Sequence, residues 1–122
     1  MLIKSLVGPN CSEKAKQKLY QSLVDIHVDS YLKTIAATVS YDASGSLSDF
    51  DVPVQLIFSE HETLTPPSIG EIMMAKISDA KMTVIEDAGH LSNMEQPDAF
   101  NKIMRAFLAP HLDLAYFKSK GD

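Results

Sequence analysis

Residues 54–67 read Val54-Gln55-Leu56-Ile57-Phe58-Ser59-Glu60-His61-Glu62-Thr63-Leu64-Thr65-Pro66-Pro67. Val54 to Phe58 follow Pro53 as a short run rich in apolar β-formers, which predicts a buried strand. Thr65-Pro66-Pro67 breaks it off. Ile69, Ile72, Met73 and Ile77 then mark one face of a helix, with Pro67 near its first turn, where a missing N–H costs least. Met82-Thr83-Val84-Ile85 repeats the strand signal and ends at Asp87-Ala88-Gly89. The last helix opens near Gln96-Pro97, carries Phe100, Ile103, Met104, Phe107 and Leu108, and is stopped by Pro110. Two strands joined through a helix are most easily parallel, with a right-handed crossover. A two-stranded parallel sheet is poorly stabilised and leaves unpaired edges, so the expectation is one end of a larger sheet.

Upstream, Gly8-Pro9-Asn10 is a breaker, and Ser12 with Ala15 three residues on offers a helix start. Leu19, Leu23 and Ile26 fall at helical spacing, and Asp29-Ser30 precedes a second stripe of Leu32, Ile35, Ala36 and Val39. The polar stretch Asp42 to Asp51 turns the chain. The expected order is α-α-β-α-β-α, an α/β fold, with no repeat or long linker.

The 122 residues are 45% hydrophobic and 22% charged with a formal net charge of −5, an ordinary composition for one globular domain. The apolar content argues against disorder, and no apolar run approaches the ~20 residues a spanning helix needs. An acidic chain lacks a basic face for phosphate, so neither nucleic acid nor membrane is an expected partner. The single cysteine, Cys11, forms no internal disulfide, and Met1-Leu2-Ile3-Lys4 lacks the form of a secretory signal. A reducing cytoplasm fits best.

Chemistry concentrates in two loops, Ser59 to Pro67 and Asp87 to Pro97, each just after a strand's carboxyl end, where open α/β sheets place ligands. A carboxylate on one loop and an imidazole on the next can meet across the strand tips. The carboxylate then fixes the ring's tautomer and leaves the far nitrogen free to take a nucleophile's proton. Glu60, Glu62 and Asp87 are the available carboxylates and His90 the imidazole. Cys11 has no neighbouring base, and Ser92 belongs to the turn entering the last helix. Met73-Met74 reads as core filling. His61, Glu62 and His90 have no metal-ligand spacing such as H-E-x-x-H, so no metal or cofactor is expected.

At these residues the chain resembles the α/β-hydrolase superfamily, in particular the esterase-like branch with 3-oxoadipate enol-lactonases and carbon–carbon bond hydrolases. Gly89, His90, Glu95 and Pro97 match the family's a-G-H-x-x-x-x-E-x-P, with Phe100 and Phe107-Leu108 in their usual places. The preceding loop matches G-x-x-D-x-x-x-P with two departures: Ser59 stands for the glycine and Glu62 for the aspartate. The resemblance implies that His90 is the catalytic base and Glu62 its orienting acid, a role the superfamily fills with Asp or Glu. Glu62 adds a methylene, so its backbone must recede to keep the hydrogen bond, and Ser59 adds a side chain to a tight turn. His61 has no role in the pattern.

The nucleophile elbow G-x-S-x-G, which precedes the acid in chain order, does not occur; Ser44-Gly45-Ser46 is the nearest approach. Against the family, residues 1–52 correspond to a lid or cap-like helical segment and 53–122 to the C-terminal part of the core. The expected function is the C-terminal portion of a serine-type hydrolase of esters, lactones or related acyl bonds, inactive alone for want of a nucleophile. The alternatives are a non-enzymatic module that self-associates as a homodimer or higher oligomer, and a half-enzyme completed by another chain.

Overall fold

The computed structural model describes residues 2–111. Its centre is a parallel pair of strands, β1 (Val54–Ser59) and β2 (Ala80–Ile85), in register from Val54 opposite Ala80 to Ser59 opposite Ile85. Among the described residues these two strands form the whole sheet. Helix α4 (Pro67–Met74) makes the crossover, with Pro67 in its first turn, and packs on both strands. Gly70 allows that approach: a Cβ there would lie 2.4 Å from the Phe58 ring and 2.5 Å from Met82 Sδ. Ile77, placed by its spacing on this helix, lies just beyond it and is one of the best buried side chains, with Leu56, Ile85 and Ala88.

Helix α6 (Pro97–Leu108) lies against β2, as the stripe from Phe100 to Leu108 anticipates. Before it, a one-turn helix α5 (Ser92–Glu95) stands where only a turn is expected. The amino-terminal third holds α1 (Leu2–Leu6), also unforeseen, then α2 (Glu13–Val24) and α3 (Val28–Ser40). Ser12 caps α2 by accepting the Ala15 N–H at 3.2 Å. α3 starts earlier than Asp29-Ser30 suggests, with His27 at its N-cap and no side-chain cap. Residues 44–49 wind into a short 3-10 helix inside the expected turn.

The buried apolar side chains are Cys11, Ala15 and Leu19 in the amino-terminal third and Leu56, Ile77, Ile85 and Ala88 in and around the sheet. The stripe on α3 has no such cover: Leu32 is 58% exposed and Val39 82%. Its helical period is real, but among the described residues nothing buries it. No described helix is long and apolar enough to cross a membrane.

Candidate active site

Both loops leave the same end of the sheet because the strands are parallel, so their tips lie side by side. The turn after β1 forms as the Glu62 N–H donates to the Ser59 carbonyl at 3.3 Å. Ser59 is buried at the strand end, so its side chain is accommodated in place of the family's glycine. The two loops are also tied by backbone: Glu60 N–H donates to Ile85 O at 3.0 Å and His61 N–H to Ala88 O at 2.9 Å.

Of the three carboxylates, Glu62 reaches the imidazole. Its Oε2 lies 2.5 Å from His90 Nδ1, and its side chain is 6% exposed. Its other oxygen, Oε1, accepts the N–H groups of Leu64 at 2.7 Å and Thr65 at 3.3 Å. The extra methylene is thus absorbed by folding the carboxylate back over its own turn. Burial pushes the Glu62 carboxyl up, but the His90 hydrogen bond, the two backbone N–H donors and the imidazole's charge together hold it below its ordinary value.

The sign of the resulting pH dependence follows. With the folded pKa below the unfolded one, the unfolded chain binds more protons between the two values. Glu62 therefore stabilises the fold fully above the unfolded carboxylate value of about 4.3 and loses that contribution as pH falls through the lower folded value. Glu62→Gln is expected to cost about 1–2 kcal/mol at pH 7. The gap in thermal midpoint between the two proteins is expected to narrow below about pH 4; a gap independent of pH refutes the assignment.

The other two carboxylates hold the loop after β2. Glu60 Oε2 accepts the Asp87 N–H at 2.9 Å, and Asp87 Oδ1 accepts from Asn10 Nδ2 at 2.8 Å. Asp87 has a positive φ of 54°, a left-handed conformation that aspartate tolerates better than most residues. His61 Nε2 stands 3.8 Å from both Glu60 Oε2 and Asp87 Oδ1. The sequence assigns no role to Asn10 and gives Glu95 a place in the motif without a partner. Glu95 Oε2 accepts the Gly8 N–H at 2.6 Å and Oε1 the Gly89 N–H at 3.0 Å, which docks the Gly8–Asn10 segment against the residue before His90. The only signal for this was Glu95's place in the motif.

Glu62 and His90 share an open cleft of about 330 Å³ with Phe58, Ile69, Met73 and Ser92. Ser92, expected in the turn, opens α5 and also lines this cleft. Cys11 is buried, and that burial, followed by the Glu95 carboxylate, pushes its thiol up, the wrong direction for a nucleophile. Among the described residues no group of three His, Cys, Asp or Glu side chains is placed to hold a metal ion.

The chain is 32% identical over 97 residues to 3-oxoadipate enol-lactonase 1 of Acinetobacter baylyi, spanning 80% of this chain and 36% of that protein. Its fold superposes on an esterase from Exiguobacterium antarcticum with a TM-score of 0.81 at 16% identity, over 88% of this chain and 40% of the esterase. This chain is a partial α/β-hydrolase-fold protein. A pimeloyl-[acyl-carrier protein] methyl ester esterase of Neisseria meningitidis is 33% identical over 72 residues, 59% of this chain and 23% of the esterase. The chain thus spans about a third or less of the curated relatives it matches. No protein-family profile matches it.

Proposed function

We propose that this chain supplies the acid–histidine half of a serine-type α/β-hydrolase centre acting on esters, lactones or related acyl bonds. Residues 53–122 are the core part in this reading and residues 1–52 a lid-like segment. The supporting observation is the 2.5 Å contact between His90 Nδ1 and Glu62 Oε2 at adjacent strand tips. Relatives whose names specify lactone and methyl ester chemistry support the substrate class. The 122 residues contain no G-x-S-x-G, so the attacking serine comes from outside them.

The chemistry follows from the pair. With Nδ1–H donated to Glu62, Nε2 of His90 carries the free lone pair and accepts the serine proton as the hydroxyl attacks the acyl carbon. Glu62 stabilises the imidazolium so formed, which then protonates the leaving alkoxide. Ile69, Phe58 and Met73 give the cleft an apolar wall for a substrate's hydrocarbon part. A reducing cytoplasm suits a chain whose single cysteine is a buried thiol.

The purified chain is expected to show no turnover of p-nitrophenyl acetate or butyrate above that of its His90→Ala variant, because a base without a nucleophile and oxyanion hole has little to act on. Turnover that disappears in His90→Ala places a nucleophile within the 122 residues and overturns the reading.

The α3 apolar face and the two strand edges, uncovered among the described residues, favour a second reading, self-association. Light scattering at micromolar concentration is expected to give a dimer or higher oligomer. A sharp monomeric mass refutes it.

A further inference from the structure

The segment carrying His90 is held at Gly89 by a carboxylate from α5. Glu95 accepts two backbone N–H groups at once, Gly8 at 2.6 Å and Gly89 at 3.0 Å, and is largely shielded from solvent. Gly89 is buried and immediately precedes His90. The segments touch so closely that a Cβ on Gly89 would lie 2.5 Å from the Gly8 nitrogen and 2.6 Å from the Val7 carbonyl carbon. Two residues on, Asn10 Nδ2 donates to Asp87 Oδ1, holding the other end of the same loop. The strap at residues 7–10 and the histidine loop are therefore packed and hydrogen-bonded together, with Glu95 as the shared acceptor.

We propose that Glu95 is a positioning residue for His90, which acts through the Gly89 N–H and couples the 7–10 strap to the imidazole's alignment with Glu62. This rests on the acid–histidine reading above and adds a dependence that the pair does not contain. Hydrogen bonds to a charged acceptor are stronger than neutral ones. Losing this acceptor also leaves two N–H donors unpaired at a close backbone contact. Displacement of Gly89 rotates the next residue, and a contact of 2.5 Å between His90 and Glu62 tolerates little rotation. The strap belongs to the lid-like segment, so a movement there reaches the histidine without touching it.

The test reads the His90 Nδ1 proton by NMR in the 122-residue chain, assigned by its absence in His90→Ala. The wild-type protein is expected to show a protected downfield resonance from the hydrogen bond to Glu62. Glu95→Ala is expected to lose it while far-UV circular dichroism stays native. Ile77→Val, which trims a buried side chain before the start of β2 and far from the strand tips, is expected to lower the thermal midpoint yet keep the resonance. If Glu95→Ala does not fold, Glu95→Gln decides: its amide has one acceptor oxygen for two donors, so the resonance is expected to weaken. An unchanged resonance in the folded Glu95 variant overturns the positioning role and leaves the acid–histidine pair standing. Absence of the resonance from the wild-type chain overturns the pair itself, and this inference with it.

Discussion

Gly89→Ala is expected to destabilise the chain by about 2–4 kcal/mol and to lower its thermal midpoint by on the order of 10 °C. The added methyl meets backbone on the far side, at 2.5 Å from the Gly8 nitrogen and 2.6 Å from the Val7 carbonyl carbon, rather than a side chain able to turn aside. Relief requires the strap to lift. Lifting it lengthens the 2.6 Å bond from Gly8 to Glu95 and the 3.3 Å bond from the Cys11 N–H to the Gly8 carbonyl, beside the buried Cys11 side chain. Two costs add: overpacking, typically ~1–3 kcal/mol, and a hydrogen bond to a charged group that is lengthened rather than lost, about 1 kcal/mol. Thermal unfolding followed by circular dichroism checks the size, and a thiol reagent checks the place. Cys11 is expected to react faster in the variant. A midpoint within a degree or two of wild type refutes the close packing of strap and loop.

On the proposed reading, His90→Ala acts on catalysis, and only once a nucleophile is supplied. In this chain joined behind a segment bearing a G-x-S-x-G elbow, the substitution is expected to lower kcat on p-nitrophenyl butyrate by about 10⁴-fold or more. Glu62→Gln is expected to cost less, roughly 10²–10⁴-fold, because the imidazole remains and loses only its orientation and the stabilisation of its charge. A residual rate above water persists in both through binding and the oxyanion hole. The order of the two effects is the informative part. If the folded, active fusion tolerates His90→Ala within tenfold, the base lies elsewhere and the 2.5 Å contact is purely structural.

Much of this was legible in the sequence. Val54–Phe58 and Met82–Ile85 announce strands through β-branched and apolar side chains, and the three prolines Pro66, Pro67 and Pro97 mark where helices begin. His90 stands out because Gly89, Glu95 and Pro97 surround it at fixed spacing. The residues alone left Glu60, Glu62 and Asp87 open, and the resemblance, through its spacing to Thr65-Pro66-Pro67, pointed to Glu62. The strap was read as a breaker and nothing more: Gly8-Pro9-Asn10 says that a helix cannot pass, not what the segment lies against. The α3 stripe gave the opposite lesson. Its period correctly announces a helix, while burial of that face depends on neighbours the period does not name.

The sequence by itself determined where each strand and the longer helices lie, and that a carboxylate-rich loop and a histidine loop follow successive parallel strands. Those features arise from rotamer entropy, capping and proline geometry acting over a few neighbouring residues. Only the tertiary structure decided which carboxylate reaches His90, 28 residues away, and that Glu95 gathers the N–H of Gly8 from 87 residues away. Such contacts depend on how whole elements pack, where an ångström of displacement makes or breaks a hydrogen bond that no local propensity encodes.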